Sequence, residues 1–326
     1  MSYQRIVTPR VYVSSVNWLL GLGKMTTLDI TSSGLSMASG SSLIEMFDLR
    51  PSNVQTITAN GVGTVHYIKM DTNVETDANQ DANFLLIMGH NLKSANAKFK
   101  IETDDNDSYG TVKTPTMTEV VNGPITTGWA IPGSDGWSLV TFTQATDNKN
   151  VRIVFDDVIG GYDADIKIAV VSLGEHFTFP HSPDMQIEKS LTFEGVKLIE
   201  SIGGNTYSNA SYLASPQWNT SPFFTADNAV RKTGRLNVDM NFSYVADTDL
   251  FPEELYDPTK QSTSNSIMTN LVQRTFGGHY PFLFQFDSAT ATSDDSFMWC
   301  RLNSDFQATQ VANQIWNVNL SLRETW

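Results

Sequence analysis

The strongest constraint on this chain lies in its last residues 313–326, NQIWNVNLSLRETW, where apolar and polar side chains alternate from Trp316 to Arg323. A period of two residues predicts a half-buried β-strand. Because chain ends fray unless they are tied down, an ordered terminal strand requires a neighbour. Two alternatives stay open: an interior strand of its own domain, or an assembly strand that pairs with a neighbouring subunit. The apolar positions are Trp316, Val318, Leu320, Leu322 and Trp326.

Most of the remaining chain is also predicted to form short strands, separated by turns rich in Asp, Asn and Gly. The run FLLIM (84–88) is apolar throughout, which predicts a central strand buried on both faces. Only 17% of the residues are charged, and a surface rich in Asn, Thr and Ser suits sheets better than exposed helices. We therefore predict a mainly β protein.

Two prolines mark the predicted domain boundary, because HFTFPHSPDM, with Pro180 and Pro183, interrupts the strand pattern and stiffens the chain. We predict an N-terminal lead-in over 1–60 that partly belongs to the first sandwich. A jelly-roll-like β-sandwich over 61–180 and a second β-sandwich or barrel domain over 181–326 follow.

One α-helix is predicted in the second domain, at about 264–277. Five apolar residues fall on one helical face, and Gly277 and Gly278 then end the pattern. The face consists of Ile267, Met268, Leu271, Val272 and Phe276.

The charge balance excludes one class of partner. The net charge is −14, and no cluster of Lys and Arg is visible along the chain. Direct binding to nucleic acid needs such a cluster, so none is expected. The start, MSYQRIVTPRVYV, lacks the apolar core of a signal peptide, and no apolar run reaches the length of a membrane-spanning helix. We therefore expect no membrane insertion.

No catalytic constellation is visible in the sequence. The G-x-S-x-G nucleophile elbow and the phosphate-binding P-loop are both missing, and no pair of carboxylates is singled out for glycoside hydrolysis. The single cysteine, Cys300, lies in a strand-like run and is expected to be a buried thiol. We predict a protein that is not an enzyme and needs no cofactor, and a hydrolase on a β scaffold ranks last.

One acidic loop is a weak metal candidate. In TDDNDSYG (103–110), Asp104, Asn106 and Ser108 alternate as calcium ligands do. Tyr109 occupies the position of the usual glycine, and Pro115 stands where the bidentate glutamate belongs. A solvated hairpin tip is therefore the favoured interpretation.

Two tryptophans are candidates for contact with a glycan. Trp129 and Trp137 flank the Gly- and Pro-containing stretch GWAIPGSDGW. Exposed aromatic rings on a jelly-roll loop can stack on sugars, whereas the commoner position of tryptophan is in a core.

Two stretches resemble virion proteins of tailed bacteriophages. Residues 277–326, GGHYPFLFQFD…NVNLSLRETW, resemble the C-terminal domain of structural proteins of the distal-tail and minor-tail kind. NFLLIMGHNLKSANAKFKIE, with IKIAVVSLGEHF downstream, resembles the galactose-binding-like jelly rolls of phage tail proteins.

The resemblance implies a structural virion protein, made in the host cytoplasm, that forms a ring at the tail tip or baseplate. Its partners would be further copies of itself, as a trimer or hexamer, and other tail proteins, because the ring would link the tail tube to tip or fibre proteins. Two alternatives stay open: a carbohydrate-binding tail protein that recognises a host surface glycan, and a head–tail adaptor or decoration protein.

Overall fold

The computed structural model describes residues 7–58, 66–71, 82–104, 109–143, 150–157, 162–192, 198–208, 235–252, 265–289 and 296–325. The protein is mainly β, as the sequence predicts. The strands of the first half are β1 (Arg10–Ser14), β2 (Ile30–Ser33), β3 (Ser36–Met37), β4 (Gln55–Thr58), β5 (His66–Asp71), β6 (Phe84–His90), β7 (Ala97–Asp104), β8 (Thr116–Val121), β9 (Ile125–Thr126), β10 (Trp129–Ala130), β11 (Gly136–Thr143), β12 (Asn150–Asp157), β13 (Ile166–Ile168) and β14 (Val170–Thr178).

The second half continues with β15 (Ile187–Thr192), β16 (Leu198–Glu200), β17 (Thr206–Ser208), β18 (Arg235–Ala246), β19 (Phe282–Gln285), β20 (Phe297–Leu302), β21 (Gln307–Ala312) and β22 (Ile315–Glu324). The helical segments are short: α1 (Ser15–Gly21), α2 (Asp247–Leu250), 3-10 turns at Thr27–Asp29 and Ile44–Phe47, and a π-helix at Met268–Gln273.

An eleven-stranded antiparallel sheet runs through both halves of the chain. Its order is β15-β18-β22-β20-β19-β1-β14-β6-β11-β8, and β21 pairs with β22 beside this path. The lead-in strand β1 pairs with β14 on one side and with β19 on the other. The sheet therefore continues across the position of the predicted domain boundary, and the division into two domains stays a prediction.

A six-stranded sheet, in the order β2-β5-β12-β7-β10-β9, packs against one part of the large sheet. The shared core contains Leu85 and Ile87 of β6 together with Phe99 and Ile153 of the smaller sheet. Every residue of β6 is buried, because its other face is covered as well. This confirms the prediction of a central strand from the run FLLIM.

The large sheet curls around a separate cluster of side chains on the face opposite to this shared core. Tyr12 of β1 packs edge-on against Phe84 of β6, with ring centroids 5.2 Å apart. Trp137 of β11 meets Phe297 of β20 at 5.3 Å, although four strands lie between theirs in the sheet order. Strands are about 4.8 Å apart, so these rings meet only if the sheet bends into a partial barrel.

The second half of the large sheet buries its outer face against helical segments. Ile267 and Leu271 pack with Phe242 of β18 and Phe284 of β19. The helix predicted at about 264–277 differs from the observed one, which is a π-helix at Met268–Gln273 followed by turns. Its wide turns are visible in i→i−5 bonds, from the Arg274 amide to the Thr269 carbonyl and from the Gly277 amide to the Val272 carbonyl.

Candidate functional site

Trp129 lies on the outer face of the six-stranded sheet, beside two lysines. Ala130 of β10 pairs with Phe99 of β7, which places the Trp129 ring next to alternate residues of β7. The Nζ atoms of Lys98 and Lys100 lie 4.6 and 4.7 Å from its ring centroid. These are cation–π distances, and the ring is half-buried. A ligand that stacks on Trp129 therefore meets two ammonium groups.

Arg152 of β12 is the centre of the same face. Its guanidinium carbon lies 4.9 Å from the ring centroid of Tyr67 and 4.2 Å from that of Tyr109. Its Nε and Nη2 atoms are 2.7 and 2.6 Å from Oε2 of Glu102. Lys100 Nζ reaches the other carboxylate oxygen of Glu102 at 2.5 Å. Two cations therefore share one buried carboxylate and hold this part of the face rigid.

We name the outward residues Tyr67, Lys98, Lys100, Trp129 and Arg152 the Trp129 face. Residues of the opposite parity on these strands, such as Ile68 and Ile153, are buried in the sandwich core. The Trp129 face thus presents aromatic rings beside cationic hydrogen-bond donors, and these cations pair with the carboxylates of Glu102 and Asp156. Such a surface is chemically suited to a ligand with many hydroxyl groups.

The sequence analysis does not identify Tyr67 and Arg152 as candidate site residues, although the pattern of their strands points to them. In HYIKM the buried residues alternate with amphipathic ones, and NVRIVFDD keeps the same alternation except at the buried Asn150 and Val154. Taking the outward parity of each predicted strand would have selected Tyr67, Lys69, Arg152 and Asp156.

The structure places Trp137 in the core and not at a ligand surface. Its side chain is 3% exposed and packs in the partial barrel against Phe297. The physical reason is the curl of the large sheet, which brings β20 over the ring. Of the two tryptophans named for glycan contact, Trp129 alone is accessible.

The calcium-like loop is only partly covered by the structure. Asp104 is buried at the end of β7, and its Oδ2 accepts a hydrogen bond from the Thr111 amide at 2.8 Å. Asn106 and Ser108 lie outside the described residues. Within the described ranges, no group of three or more His, Cys, Asp or Glu side chains is placed to hold a metal ion.

The terminal strand β22 lies inside its own sheet. It pairs with β18 along one edge and with β20 and β21 along the other. Val318, Leu320 and Leu322 are buried, and the half-buried Trp316 donates a hydrogen bond from Nε1 to Asp247 at 2.7 Å. Both edges are therefore used within the subunit along most of the strand. Trp326 lies outside the described residues.

A buried polar network fixes the loops at one end of the sandwich. The amide of Leu92 donates to Nδ1 of His90 at 3.3 Å, so the ring carries its proton on Nε2, 2.9 Å from Ser138 Oγ. Ser138 in turn donates to the carbonyl of Asn122 at 2.8 Å. Burial lowers the pKa of His90 to about 4, against a smaller opposing effect of Asp135. The network therefore requires the neutral imidazole, which is a structural role.

In the described part of the chain, no helix has the length and apolar character that a membrane crossing requires. No family model matches the chain. No curated protein matches it either.

Among solved structures, the chain is similar to one described as a pectin binding carbohydrate binding module determined in a monoclinic crystal form. The identity is 14%, the match covers 45% of this chain and 88% of that chain, and the TM-score is 0.30. A TM-score this low is below the level at which two chains are taken to share a fold.

Proposed function

We propose that this chain is a non-enzymatic structural protein of a tailed-phage virion. In this proposal it forms a ring at the tail tip or baseplate and links the tail tube to tip or fibre proteins. The proposal starts from the two stretches that resemble phage proteins.

The observation that carries the proposal is the continuity of the eleven-stranded sheet. The stretch that resembles a tail jelly roll supplies β6 and β14, and the stretch that resembles a tail-protein C-terminal domain supplies β19, β20 and β22. Because β1 hydrogen-bonds to strands of both stretches, the two halves cannot shift along each other without breaking backbone bonds. A connector that transmits position between tail components needs such a rigid body.

The test is immunogold electron microscopy of purified virions, with antibody raised against the folded chain. Label at the tail tip supports the ring proposal. Label at the head–tail junction or over the capsid supports the adaptor or decoration alternative instead. Absence of label from disrupted particles, in which buried epitopes are exposed, overturns a virion role altogether.

A second function is favoured by the Trp129 face, which we propose as a glycan-binding surface of a receptor-recognising tail protein. An aromatic ring next to charged hydrogen-bond donors is the usual composition of a sugar site. The ligand would stack on the accessible part of Trp129 and hydrogen-bond to the Lys98 and Lys100 ammonium groups.

Glycan-array binding of the wild-type chain and of Trp129→Ala tests this second function. We expect a loss of about tenfold or more in affinity for any bound glycan, since stacked aromatics dominate such contacts. Tyr244→Ala is the matched control, because Tyr244 is an exposed aromatic residue on β18, which belongs to the other sheet. Equal binding by all three proteins, or none by the wild type, would overturn it.

A further inference from the structure

The hairpin formed by β16 and β17 exposes an unusual amount of apolar surface. More than half of the exposed large apolar side chains in the described residues fall between Met185 and Tyr207. The set consists of Met185, Leu191, Leu198, Ile199, Ile202 and Tyr207. Four of the six, Leu198, Ile199, Ile202 and Tyr207, belong to the hairpin itself. Single large apolar residues on a surface are ordinary, whereas four on one short hairpin indicate an interaction site.

The hairpin is a closed structural unit. β16 and β17 pair in register as a separate two-stranded sheet. Ser201 and Asn205 exchange a backbone hydrogen bond at the turn, from the Ser201 amide to the Asn205 carbonyl at 2.8 Å, and Ile202 stands fully exposed at the tip. Two-stranded hairpins are marginally stable alone in water, so a surface that covered its exposed apolar residues would stabilise this one.

The same chain carries an apolar pocket between α1 and the π-helix. It has a volume of about 420 Å³ and is lined by Trp18, Leu22, Val272 and Phe276, with Lys24 among its other lining residues. Leu22 is 45% exposed there, although it is a large aliphatic side chain. The pocket is therefore a concave apolar surface, whereas the hairpin tip is a protruding apolar surface.

The charges at the two surfaces are opposite. In the described hairpin residues 198–208, Glu200 is the one charged side chain, and it is exposed. The pocket lining includes the exposed Lys24. In a chain of net charge −14, most contacts between two copies would bring like charges together. A contact between the hairpin of one copy and the pocket of another would instead bring a carboxylate towards an ammonium group.

We propose that the β16–β17 hairpin of one copy inserts Ile202 into the pocket between α1 and the π-helix of a second copy. The contact is heterologous, because each copy uses one surface to donate and a different surface to accept. Repetition of such a contact closes into a ring if the rotation between copies permits. The inference deepens the proposed ring function and rests on it for its biological meaning.

The first test is molar mass by size-exclusion chromatography with light scattering, on the full chain over a concentration series. We expect a closed oligomer for the wild type. Ile202→Asp and Leu22→Asp should each raise the concentration needed for assembly about tenfold or more, because a charge replaces an apolar contact. Val311→Asp, at an exposed apolar position on β21, should assemble as the wild type does. Circular dichroism of each variant confirms that it is folded.

The second test separates a heterologous contact from a symmetric one. A mixture of Ile202→Asp and Leu22→Asp retains one intact hairpin and one intact pocket, so it should form a 1:1 dimer that grows no further. Glu200→Lys and Lys24→Glu should each weaken assembly, and the double variant should recover it.

Each contrary result has a distinct meaning. A wild-type chain that stays monomeric at every concentration overturns the hairpin contact, while label at the tail tip would still support the virion role. A ring that forms equally well with Ile202→Asp places the interface elsewhere and keeps the ring. Failure of the mixed variants to form a dimer overturns the pocket as the partner of the hairpin.

Discussion

The indole ring of Trp137 lies 5.3 Å, centroid to centroid, from the phenyl ring of Phe297, with an interplanar angle of 73°. The two residues belong to strands that are separated by four others in the sheet. Their contact therefore closes the partial barrel and depends on the curvature of the whole sheet.

We expect Trp137→Leu and Phe297→Leu to destabilise the protein by about 1–3 kcal/mol each. The double variant should lose about 0.5–1.5 kcal/mol less than the sum, because either change alone already removes the edge-to-face contact. Urea unfolding of the four proteins measures the coupling. The pair Phe297→Leu and Phe155→Leu is the control and should be additive, since Phe155 lies in the separate sandwich core. If the losses of unfolding free energy are additive for both pairs, the contact between the two rings does not stabilise the curvature of the sheet.

Gly174 of β14 is a position where any side chain is expected to disrupt the large sheet. A Cβ atom there would overlap the carbonyl oxygen of Val13 and approach the Ser15 amide, and both are backbone atoms. We expect Gly174→Ala to cost about 3 kcal/mol or more, because β1 and β14 must separate locally. Gly133→Ala is the matched control, since its added Cβ would be at an ordinary 3.6 Å from the nearest atom. Thermal unfolding that does not distinguish the two variants would contradict the close strand approach.

The buried His90 should make the protein less stable in acid. Burial lowers its pKa to about 4 in the folded state from 6.5 in the unfolded chain, so the unfolded chain binds the proton first as the pH falls. Stability is then unaffected above about pH 6.5 and is lost progressively towards pH 4, with about 2 kcal/mol lost between pH 7 and pH 5. His176, whose pKa burial also lowers to about 4, adds a loss of the same sign.

The contribution of His90 is isolated with the variant His90→Asn, studied by urea unfolding at pH 7 and pH 5. The variant should be less stable than the wild type at pH 7, yet its stability should fall about 2 kcal/mol less between the two pH values. A wild-type stability that is level from pH 7 to pH 5 would show that His90 does not stay neutral.

The ion pair between Arg274 and Glu175 joins the π-helix to β14. Nη2 of Arg274 is 2.8 Å from Oε2 of Glu175, and the Arg274 side chain is 2% exposed and lies near the Trp18 ring. We expect Glu175→Ala to cost about 3 kcal/mol, because the buried guanidinium loses its carboxylate. Asp156→Ala breaks a pair with Lys98 Nζ at 3.2 Å in which both side chains are partly exposed, and it should cost about 1 kcal/mol or less. Similar losses in the two variants, measured by urea unfolding, would contradict the difference in burial.

The β character of the chain could be predicted because it depends on local sequence patterns. FLLIM and the alternating residues of β22 correspond to strands at the predicted positions. Burial of every second residue depends on the strand alone, so a single stretch is sufficient to reveal it. The buried thiol of Cys300 could be predicted from a strand-like apolar run, and it lies in β20, where the four residues from Phe297 to Cys300 are all buried.

The environment of Trp137 could not be predicted in the same way. Its burial depends on Phe297, which is distant in the sequence and arrives through four intervening strands. The π-helix could not be predicted either, since apolar residues at a helical spacing from Ile267 to Phe276 do not distinguish a π-helix from an α-helix. The Trp129 face lies between these cases: its residues alternate visibly, but their clustering depends on the pairing of β5, β12 and β7.

The central place of β1 has a consequence for the order in which the protein can fold. Tyr12 donates its hydroxyl hydrogen to Gln285, a residue 273 positions away, at a distance of 2.7 Å. During synthesis β1 can pair with β14 while its other edge waits for β19, which emerges roughly 100 residues later, or about 5–20 s at typical elongation rates. For that interval the nascent chain carries an open strand edge with half of its neighbours missing. The large sheet is thus completed late, and the second half of the chain acts as the closing partner for a strand made at the start.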